Sequence, residues 1–312
     1  MLFTINSFFT AILGFLGIGS LSLKEYKKQF DAINYGIKVD VDGLDMNVVI
    51  QGDQNDQTIV LLPGMGMIAP YIAYKSLTEP LSENYKVITV EPFGYGLSDV
   101  TKKERTAENV VSELHICLQK LGVNKFYIMG HSLGGLFSYA YANKYPDEVL
   151  GYIGLDNTPI NIEENVSDMT LEENIKNSLG KIIAKYHLYR FANEDQLNVF
   201  VEAALDPNYK YTEEDMKNLN IIYHYNSSSE NVINEYELMK NNIASLKGVT
   251  IKCPILMFIS TQMMDINSYW KPAHEDMAAI NENSTLFELD GSHQIYIQQK
   301  EKVIDKIKKF IK

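Results

Sequence analysis

Residues 129–135 read Met-Gly-His-Ser-Leu-Gly-Gly and contain the pattern Gly-x-Ser-x-Gly. A largely apolar run at 125–129, typical of a strand, leads into this pattern, and a run at 133–145 with helical character leads out of it. A sharp turn between a strand and a helix lifts the serine hydroxyl off the sheet and aims the next backbone N–H at an oxyanion. Such a turn requires glycine at Gly130 and Gly134, because side chains there would keep the strand and the helix apart. The pattern therefore predicts that Ser132 is a nucleophile.

Strand-like and helix-like segments alternate on both sides of this turn. The pair Asp42-Gly43, flanked by alternating apolar residues, predicts a hairpin near the start of the sheet. The later alternation of strands and helices predicts parallel strands with right-handed connections. We therefore expect an α/β fold with a doubly wound, mostly parallel sheet. The predicted strands are 37–42, 46–51, 58–62, 86–90, 125–129, 149–155, 254–260 and 285–289, and the predicted helices are 73–81, 106–121, 133–145, 272–280 and 300–312.

The segment from about 160 to 248 differs from the rest, because it is polar and rich in Asn, Glu and Tyr. Its helix-like pieces predict a helical cap inserted into the α/β sheet. The predicted domains are a leader at 1–30, an α/β core at 31–159 and 249–312, and the cap at 160–248. The helix-like pieces of the cap are 172–191, 194–204 and 231–246.

The composition narrows the classes of partner. The chain has 312 residues, 46% of them hydrophobic, and a net charge of −12, so we expect a globular protein that does not bind nucleic acid. The two cysteines, Cys117 and Cys253, fall within a predicted helix and at the start of a predicted strand, which is typical of buried thiols. His and Cys residues do not cluster with metal-ligand spacing. We expect neither a metal nor a cofactor.

The first charged residue of the chain is Lys24, and the run at 8–23 is dominated by apolar residues and glycine. This length reaches that of a transmembrane helix. Lys24, Lys27 and Lys28 follow the run, which favours a catalytic domain on the cytoplasmic side. We expect membrane association through residues 2–23. An export signal, or a soluble leader on a cytoplasmic protein, remains an alternative.

His293 is the predicted general base, because it lies in the turn Gly291-Ser292-His293 between the last strand and the last helix. The other histidines are expected to be structural or solvent-facing: His131, which should point away from the nucleophile, and His115, His187, His224 and His274. Asp265 is the first choice for the acid that orients the imidazole, because it follows the strand at 254–260 and completes the order Ser, Asp, His. Asp156, at the end of the strand at 149–155, is the alternative. Glu288, Asp290 or the absence of an acid also remain open.

The chain resembles the α/β-hydrolase superfamily over roughly residues 37–312, and most resembles Gram-positive members with an N-terminal hydrophobic segment. The loop Pro63-Gly64-Met65-Gly66 stands where these enzymes usually have His-Gly, and residues 93–99 and 291–293 match two further loops. The resemblance implies a serine hydrolase with a Ser-His-acid triad, and an oxyanion hole formed by the backbone N–H groups of Met65 and Leu133. The family pattern has Gly after the strand that precedes the acid. Here Ser260 replaces it, and the approach to Asp265 is about two residues longer.

The predicted function is cleavage of a carboxylic ester, a thioester or a related acyl bond of an apolar substrate through an acyl-enzyme. The alternative is a non-catalytic binding or receptor protein of the same fold. Residues 64–69 also fit Gly-x-Gly-x-x-Ala, and Glu91 ends the next strand, as in a dinucleotide site. Pro70 and the hairpin before the strand argue against that site. Tyrosines that could line an acyl pocket are Tyr186, Tyr189, Tyr209, Tyr211, Tyr223 and Tyr225.

Overall fold

An eight-stranded sheet forms the centre of the computed structural model, which describes residues 23–160, 205–226 and 229–311. The strand order is β1-β2-β4-β3-β5-β6-β7-β8. β1 pairs with β2, and β2 with β4, in antiparallel fashion, and the other neighbours are parallel. The prediction of a mostly parallel α/β sheet is confirmed. The strands are β1 Ile37–Val41, β2 Leu44–Gln51, β3 Thr58–Leu62, β4 Lys86–Glu91, β5 Phe126–His131, β6 Val149–Leu155, β7 Ile255–Ser260 and β8 Ser284–Leu289.

Helices cover both faces of the sheet. One apolar cluster contains buried residues of the helices Ala107–Lys120, Leu133–Lys144 and Trp270–Ala279. The cluster on the other face contains buried residues of the helices Lys75–Ser82, Ile295–Gln298 and Lys300–Phe310. Since both faces are covered, the central strands β3 and β5 are buried along their whole length. The described helices are α1 Leu23–Asp31, α2 Pro70–Ala73, α3 Lys75–Ser82, α4 Ala107–Lys120, α5 Leu133–Lys144, α6 Glu213–Asn226, α7 Glu230–Ser245, α8 Thr261–Ile266, α9 Trp270–Ala279, α10 Ile295–Gln298 and α11 Lys300–Phe310.

Local signals in the sequence explain several boundaries. Asp42 and Gly43 both have positive φ, 56° and 85°, as a tight hairpin turn requires. Thr106 caps α4, since its hydroxyl accepts a hydrogen bond from the backbone N–H of Asn109. The predicted strands agree with the observed strands to within two residues at each end.

The structure adds elements that the sequence analysis did not predict. α6 lies in the segment assigned to the cap, and α8 occupies the stretch after β7 that was taken as an approach to Asp265. The predicted cap helices at 172–191 and 194–204 lie outside the described residues, as does the leader up to residue 22. The boundaries of the cap stay a prediction. Within the described ranges, none of the helices is both long and apolar enough to cross a bilayer.

The parallel strands bring several chain segments to one edge of the sheet. β3, β5, β6, β7 and β8 run in the same direction, so the residues that follow each of them meet at their carboxyl ends. This edge is where ligands bind in open α/β sheets.

Candidate active site

Ser132 lies at the turn between β5 and α5 with φ 51° and ψ −125°. A positive φ is strained for a residue with a side chain, and such strain is concentrated at functional sites. The turn is held by two hydrogen bonds: the Ser132 N–H donates to the carbonyl of Leu155 at 3.2 Å, and the Ser132 carbonyl accepts from Thr158 N–H at 2.9 Å. The end of β6 thus fixes the backbone of Ser132.

The two glycines of the motif make this turn possible. A Cβ on Gly130 would lie 2.5 Å from backbone atoms of Gly134, and a Cβ on Gly134 would lie 2.3 Å from the carbonyl oxygen of Pro63. Real Cβ atoms do not approach backbone this closely, so side chains would force β5, α5 and the end of β3 apart. The sequence argument for both glycines is confirmed.

His293 lies 2.8 Å through Nδ1 from a carboxylate oxygen of Asp156. Asp156 directly follows β6, has φ 45° and is fully buried, whereas the His293 side chain is about a third exposed. Because a neutral imidazole has one donor nitrogen, this contact assigns the proton to Nδ1 and leaves Nε2 as an acceptor. Such an imidazole can take a proton from a hydroxyl.

Four donors surround the carboxylate of Asp156. Ser260 donates through its hydroxyl at 2.6 Å and its backbone N–H at 3.0 Å, Trp270 donates through Nε1 at 2.8 Å, and His293 is the fourth. Burial on its own would raise the pKa of Asp156. The contacts with His293 and Ser260 outweigh burial, so this pKa lies below its ordinary value. Asp156 therefore carries its negative charge at neutral pH.

Asp265 does not occupy this position. It lies on α8 with its side chain exposed, and the imidazole of His293 contacts Asp156 instead. The reason is that a helix forms directly after β7. Ser260 caps α8 by accepting from Met263 N–H at 3.2 Å, and Asp265 is therefore part of this helix. The other two acidic candidates have different partners, because Glu288 pairs with Lys271, and Asp290 accepts from the Thr261 hydroxyl.

The N-terminal turn of α8 holds the histidine turn, residues 291–293. Gln262 accepts the backbone N–H of His293 at 2.8 Å, and Thr261 accepts that of Gly291 at 3.0 Å. On the other side, the Gln298 side chain accepts from the N–H of Ser292. Sequence reasoning missed Gln262 and Trp270, although the single tryptophan of the chain, following β7, was a signal.

Ser132 and His293 line one cavity of about 480 Å³. The Pro-Gly loop, residues 63–66, contributes Gly64, Met65 and Gly66 to the same cavity. Leu133 is the first residue of α5, so its N–H has no acceptor within the helix. The predicted oxyanion-hole residues are thus on the loop that lines this cavity and at the adjacent helix end. The remaining lining residues in the described part are Met67, His131, Tyr223, Gln262, Ser292 and Gln294.

The other histidines differ in burial and contacts. His131 is buried beside His293, with ring centroids 4.8 Å apart, and was expected to be merely structural. His274 is buried with its ring nitrogens near the carbonyls of Trp270 and Asn157, and His115 contacts Tyr141. His224 is buried, and His187 lies outside the described residues.

The tyrosines of the predicted cap have several roles. Tyr223 lines the cavity, Tyr225 stacks on Phe30 of α1 with ring centroids 4.3 Å apart, and the rings of Tyr209 and Tyr211 contact each other. Tyr186 and Tyr189 lie outside the described residues.

Cys117 and Cys253 are free and buried, as predicted, and burial raises the pKa of Cys117 to about 12 and that of Cys253 to about 11. Both side chains therefore remain neutral thiols at physiological pH, which makes them unreactive.

Glu91, the carboxylate of the possible dinucleotide motif, is fully buried. It accepts hydrogen bonds from the Asn47 side chain at 2.9 Å, the Leu97 N–H at 2.8 Å and the Tyr35 hydroxyl at 3.0 Å. This carboxylate holds the loop after β4 and exposes no surface to a ribose hydroxyl.

The sequence matches the family model of the alpha/beta hydrolase fold over residues 57–299. The chain belongs to the α/β-hydrolase family. It is 28% identical to the uncharacterized protein YbdG of Bacillus subtilis, over 86% of this chain and 83% of that protein. It is 25% identical to the 2-(acetamidomethylene)succinate hydrolase of Mesorhizobium japonicum, over 54% of this chain and 62% of that enzyme.

The fold matches solved structures of the α/β-hydrolase family at low sequence identity. A probable hydrolytic enzyme of Pseudomonas aeruginosa superimposes with a TM-score of 0.64 at 16% identity, over 90% of this chain and 96% of that chain. At this identity the likeness shows the fold alone. The family includes hydrolases of different substrates, so the reaction has to be argued from the site.

Proposed function

We propose that this α/β-hydrolase is a serine hydrolase that cleaves carboxylic esters or thioesters through an acyl-enzyme. The observation that carries the proposal is the shared cavity of Ser132 and His293, with the buried Asp156 on the far side of the imidazole. Three groups in this relation supply a nucleophile, a base and an orienting charge.

The reaction begins when the Ser132 hydroxyl attacks the carbonyl carbon of the substrate and His293 Nε2 takes its proton. The N–H groups of Met65 and Leu133 bind the oxyanion of the tetrahedral intermediate. The bond to the leaving group then breaks, and the imidazolium gives the proton to the departing oxygen or sulfur. Water enters, loses its proton to His293 and releases the acid from Ser132, which regains its hydrogen.

The lining of the cavity supports an uncharged substrate. Apart from the histidines, its described residues carry no ionisable side chain but the Tyr223 phenol, and Met65, Met67 and Tyr223 offer apolar surface. Gln262 and Gln294 are polar but uncharged. A charged acyl group would lose its hydration here without gaining a counter-ion from the described lining, so neutral, apolar acyl groups are favoured.

The test is labelling with a fluorophosphonate probe, together with turnover of neutral p-nitrophenyl esters. The wild-type chain should label and turn over, and Ser132→Ala should do neither while it keeps the wild-type melting temperature. Labelling that persists in Ser132→Ala would overturn the proposal. The non-catalytic alternative is favoured if no acid orients the imidazole, and the contact between Asp156 and His293 weakens it. A folded wild-type protein without labelling or turnover would restore it.

We also propose that residues 2–23 attach the enzyme to a membrane with its catalytic domain on the cytoplasmic side. Their apolar composition and the lysines that follow support this. The full chain should stay in the membrane fraction after carbonate washing, and a chain starting at residue 24 should not. Release of the full chain by carbonate would refute the anchor, and digestion of the domain by protease added outside intact cells would refute its side.

A further inference from the structure

His131 lies between the nucleophile and the histidine turn, and its ring has a hydrogen-bond partner at each nitrogen. Nε2 lies 3.0 Å from the backbone carbonyl oxygen of His293, and Nδ1 lies 3.1 Å from the hydroxyl of Tyr74. The Tyr74 hydroxyl in turn accepts the backbone N–H of Gly64 at 3.2 Å. A continuous series of hydrogen bonds therefore runs from the Pro-Gly loop to the histidine turn. We call Tyr74 and His131, with these hydrogen bonds, the relay.

The direction of each hydrogen bond follows from the chemistry of the groups. The His293 carbonyl can only accept, so His131 carries its proton on Nε2. Nδ1 is then an acceptor, and the Tyr74 hydroxyl donates to it while its oxygen accepts from Gly64. With a neutral His131, every donor in this series of hydrogen bonds meets an acceptor. Burial, and the nearby His293, lower the pKa of His131 to about 3, so the ring is neutral at every pH at which the enzyme would work.

The relay is held in place by its surroundings. Tyr74 is fully buried and His131 is nearly so. The ring of Tyr296 packs edge-on against the ring of His131, with ring centroids 5.0 Å apart. Its centroid lies 4.9 Å from that of the Tyr74 ring. The chain therefore links two loops through rings that cannot move far without disturbing the core.

We propose that His131 and Tyr74 are positioning residues, which set the spacing between the Pro-Gly loop that would bind the oxyanion and the turn that carries the base His293. The inference rests on the proposed serine-hydrolase function. Neither residue reacts with the substrate. The relay acts by holding the two loops that must contact one tetrahedral intermediate, one at its oxyanion and the other at its transferring proton.

Four variants separate positioning from mere stability. Tyr74→Phe removes the hydroxyl that bonds Gly64 and His131 and keeps the ring, and His131→Leu removes the hydrogen bonds of the imidazole. His131→Gln retains a donor that can reach the His293 carbonyl. Tyr139→Phe is the matched control, because the buried Tyr139 hydroxyl bonds the Val249 carbonyl at 3.1 Å outside the relay.

The measurements are kcat and KM for a neutral p-nitrophenyl ester, normalised to the sites that a fluorophosphonate labels, together with melting temperatures. We expect kcat to fall about ten- to a hundredfold in Tyr74→Phe and His131→Leu, with KM changed less than about twofold, since misplacement affects the transition state most. His131→Gln should recover at least about a third of the decrease in log kcat that His131→Leu shows. Tyr139→Phe should lose thermal stability but keep its kcat.

The outcomes distinguish the two proposals. A wild-type kcat in Tyr74→Phe, with a lowered melting temperature like that of Tyr139→Phe, would overturn the relay and leave the hydrolase intact. If His131→Leu fails to fold, Tyr74→Phe decides, because it preserves the packing of the ring. A wild-type protein that folds but neither labels nor turns over would overturn the serine-hydrolase function, and the relay with it.

Discussion

Replacing Asp156 by Asn tests which carboxylate orients His293. Each oxygen of Asp156 accepts two hydrogen bonds: Oδ1 from the Ser260 N–H and Trp270 Nε1, and Oδ2 from the Ser260 hydroxyl and His293 Nδ1. The new amide must present its NH₂ to one of these pairs. A backbone N–H and an indole N–H can only donate, whereas the hydroxyl and the imidazole can also accept. The NH₂ therefore turns toward His293.

An imidazole that accepts at Nδ1 carries its proton on Nε2, and it then has no lone pair to offer the Ser132 hydroxyl. We expect Asp156→Asn to lower kcat by about 10³- to 10⁴-fold, as loss of the acid does in serine hydrolases of this type. This is a rise of about 4–5.5 kcal/mol in the activation free energy. The stability should fall by about 1–3 kcal/mol, because a buried hydrogen-bond network loses its charge.

Asp265→Asn is the matched control, since Asp265 lies exposed on α8. Exposed substitutions usually change stability by less than about 0.5 kcal/mol, and we expect kcat to stay within about twofold of wild type. Ester turnover per labelled site and urea unfolding measure both variants. If Asp265→Asn loses activity and Asp156→Asn keeps it, or if both variants remain fully active, the assignment of the acid is refuted.

Two further perturbations test the surroundings of Asp156, and a third tests Glu235, a buried carboxylate of α7. Trp270→Phe removes the indole donor to Asp156, so kcat should fall about three- to tenfold and stability by about 1 kcal/mol in steady-state and urea assays; an unchanged kcat would exclude a part for the indole in holding the acid. The pKa of Asp156 is lower in the folded state than its ordinary value of 3.8, so the charged carboxylate stabilises the fold above pH 3.8. This contribution is lost as the pH falls from 3.8 through the pKa of the folded state. In urea unfolding, the free energy of unfolding should therefore decrease less steeply with falling pH for Asp156→Asn than for wild type. Equal decreases would contradict the lowered pKa of Asp156. Burial raises the pKa of Glu235 to about 7 from 4.5, so the folded state retains a proton that the unfolded state has lost, and stability should fall as the pH rises through this interval. Glu235→Gln should flatten the pH dependence of the free energy of unfolding in urea, and an unchanged dependence would count against the raised pKa of Glu235.

The features that the sequence predicted correctly are those specified by short stretches of chain. Buried runs bounded by turn residues gave the strands, because a strand covered on both faces must be apolar throughout. The sharp turn at Ser132 is predicted by the five consecutive positions 130–134. Gly130 and Gly134 are required there by contacts within that turn and with the end of β3. The motif can be read from consecutive residues, although the close approach of Gly134 to Pro63 is visible only in the fold.

The acid depends on distant neighbours, which explains why the first choice was Asp265. Both Asp156 and Asp265 follow strands that end at the same edge of the sheet, and both complete the order Ser, Asp, His. The choice of Asp265 rests on its place after β7, the usual position of the acid in the family that the sequence resembles. The deciding contacts join residues more than 100 positions apart: Ser260 and Trp270 donate to Asp156 across 104 and 114 residues. These contacts exist only once β6 and β7 are paired.

Ser260 is the residue that links the departure from the family pattern to the structure. In place of the usual Gly, it supplies a hydroxyl that accepts from Met263 N–H and donates to Asp156. The first of these bonds starts α8, which places Asp265 on an exposed helix and puts Gln262 against the histidine turn. The second helps to keep the buried Asp156 ionised. Ser260, at the end of β7, therefore accounts both for the position of Asp265 away from His293 and for part of the support of the carboxylate that follows β6.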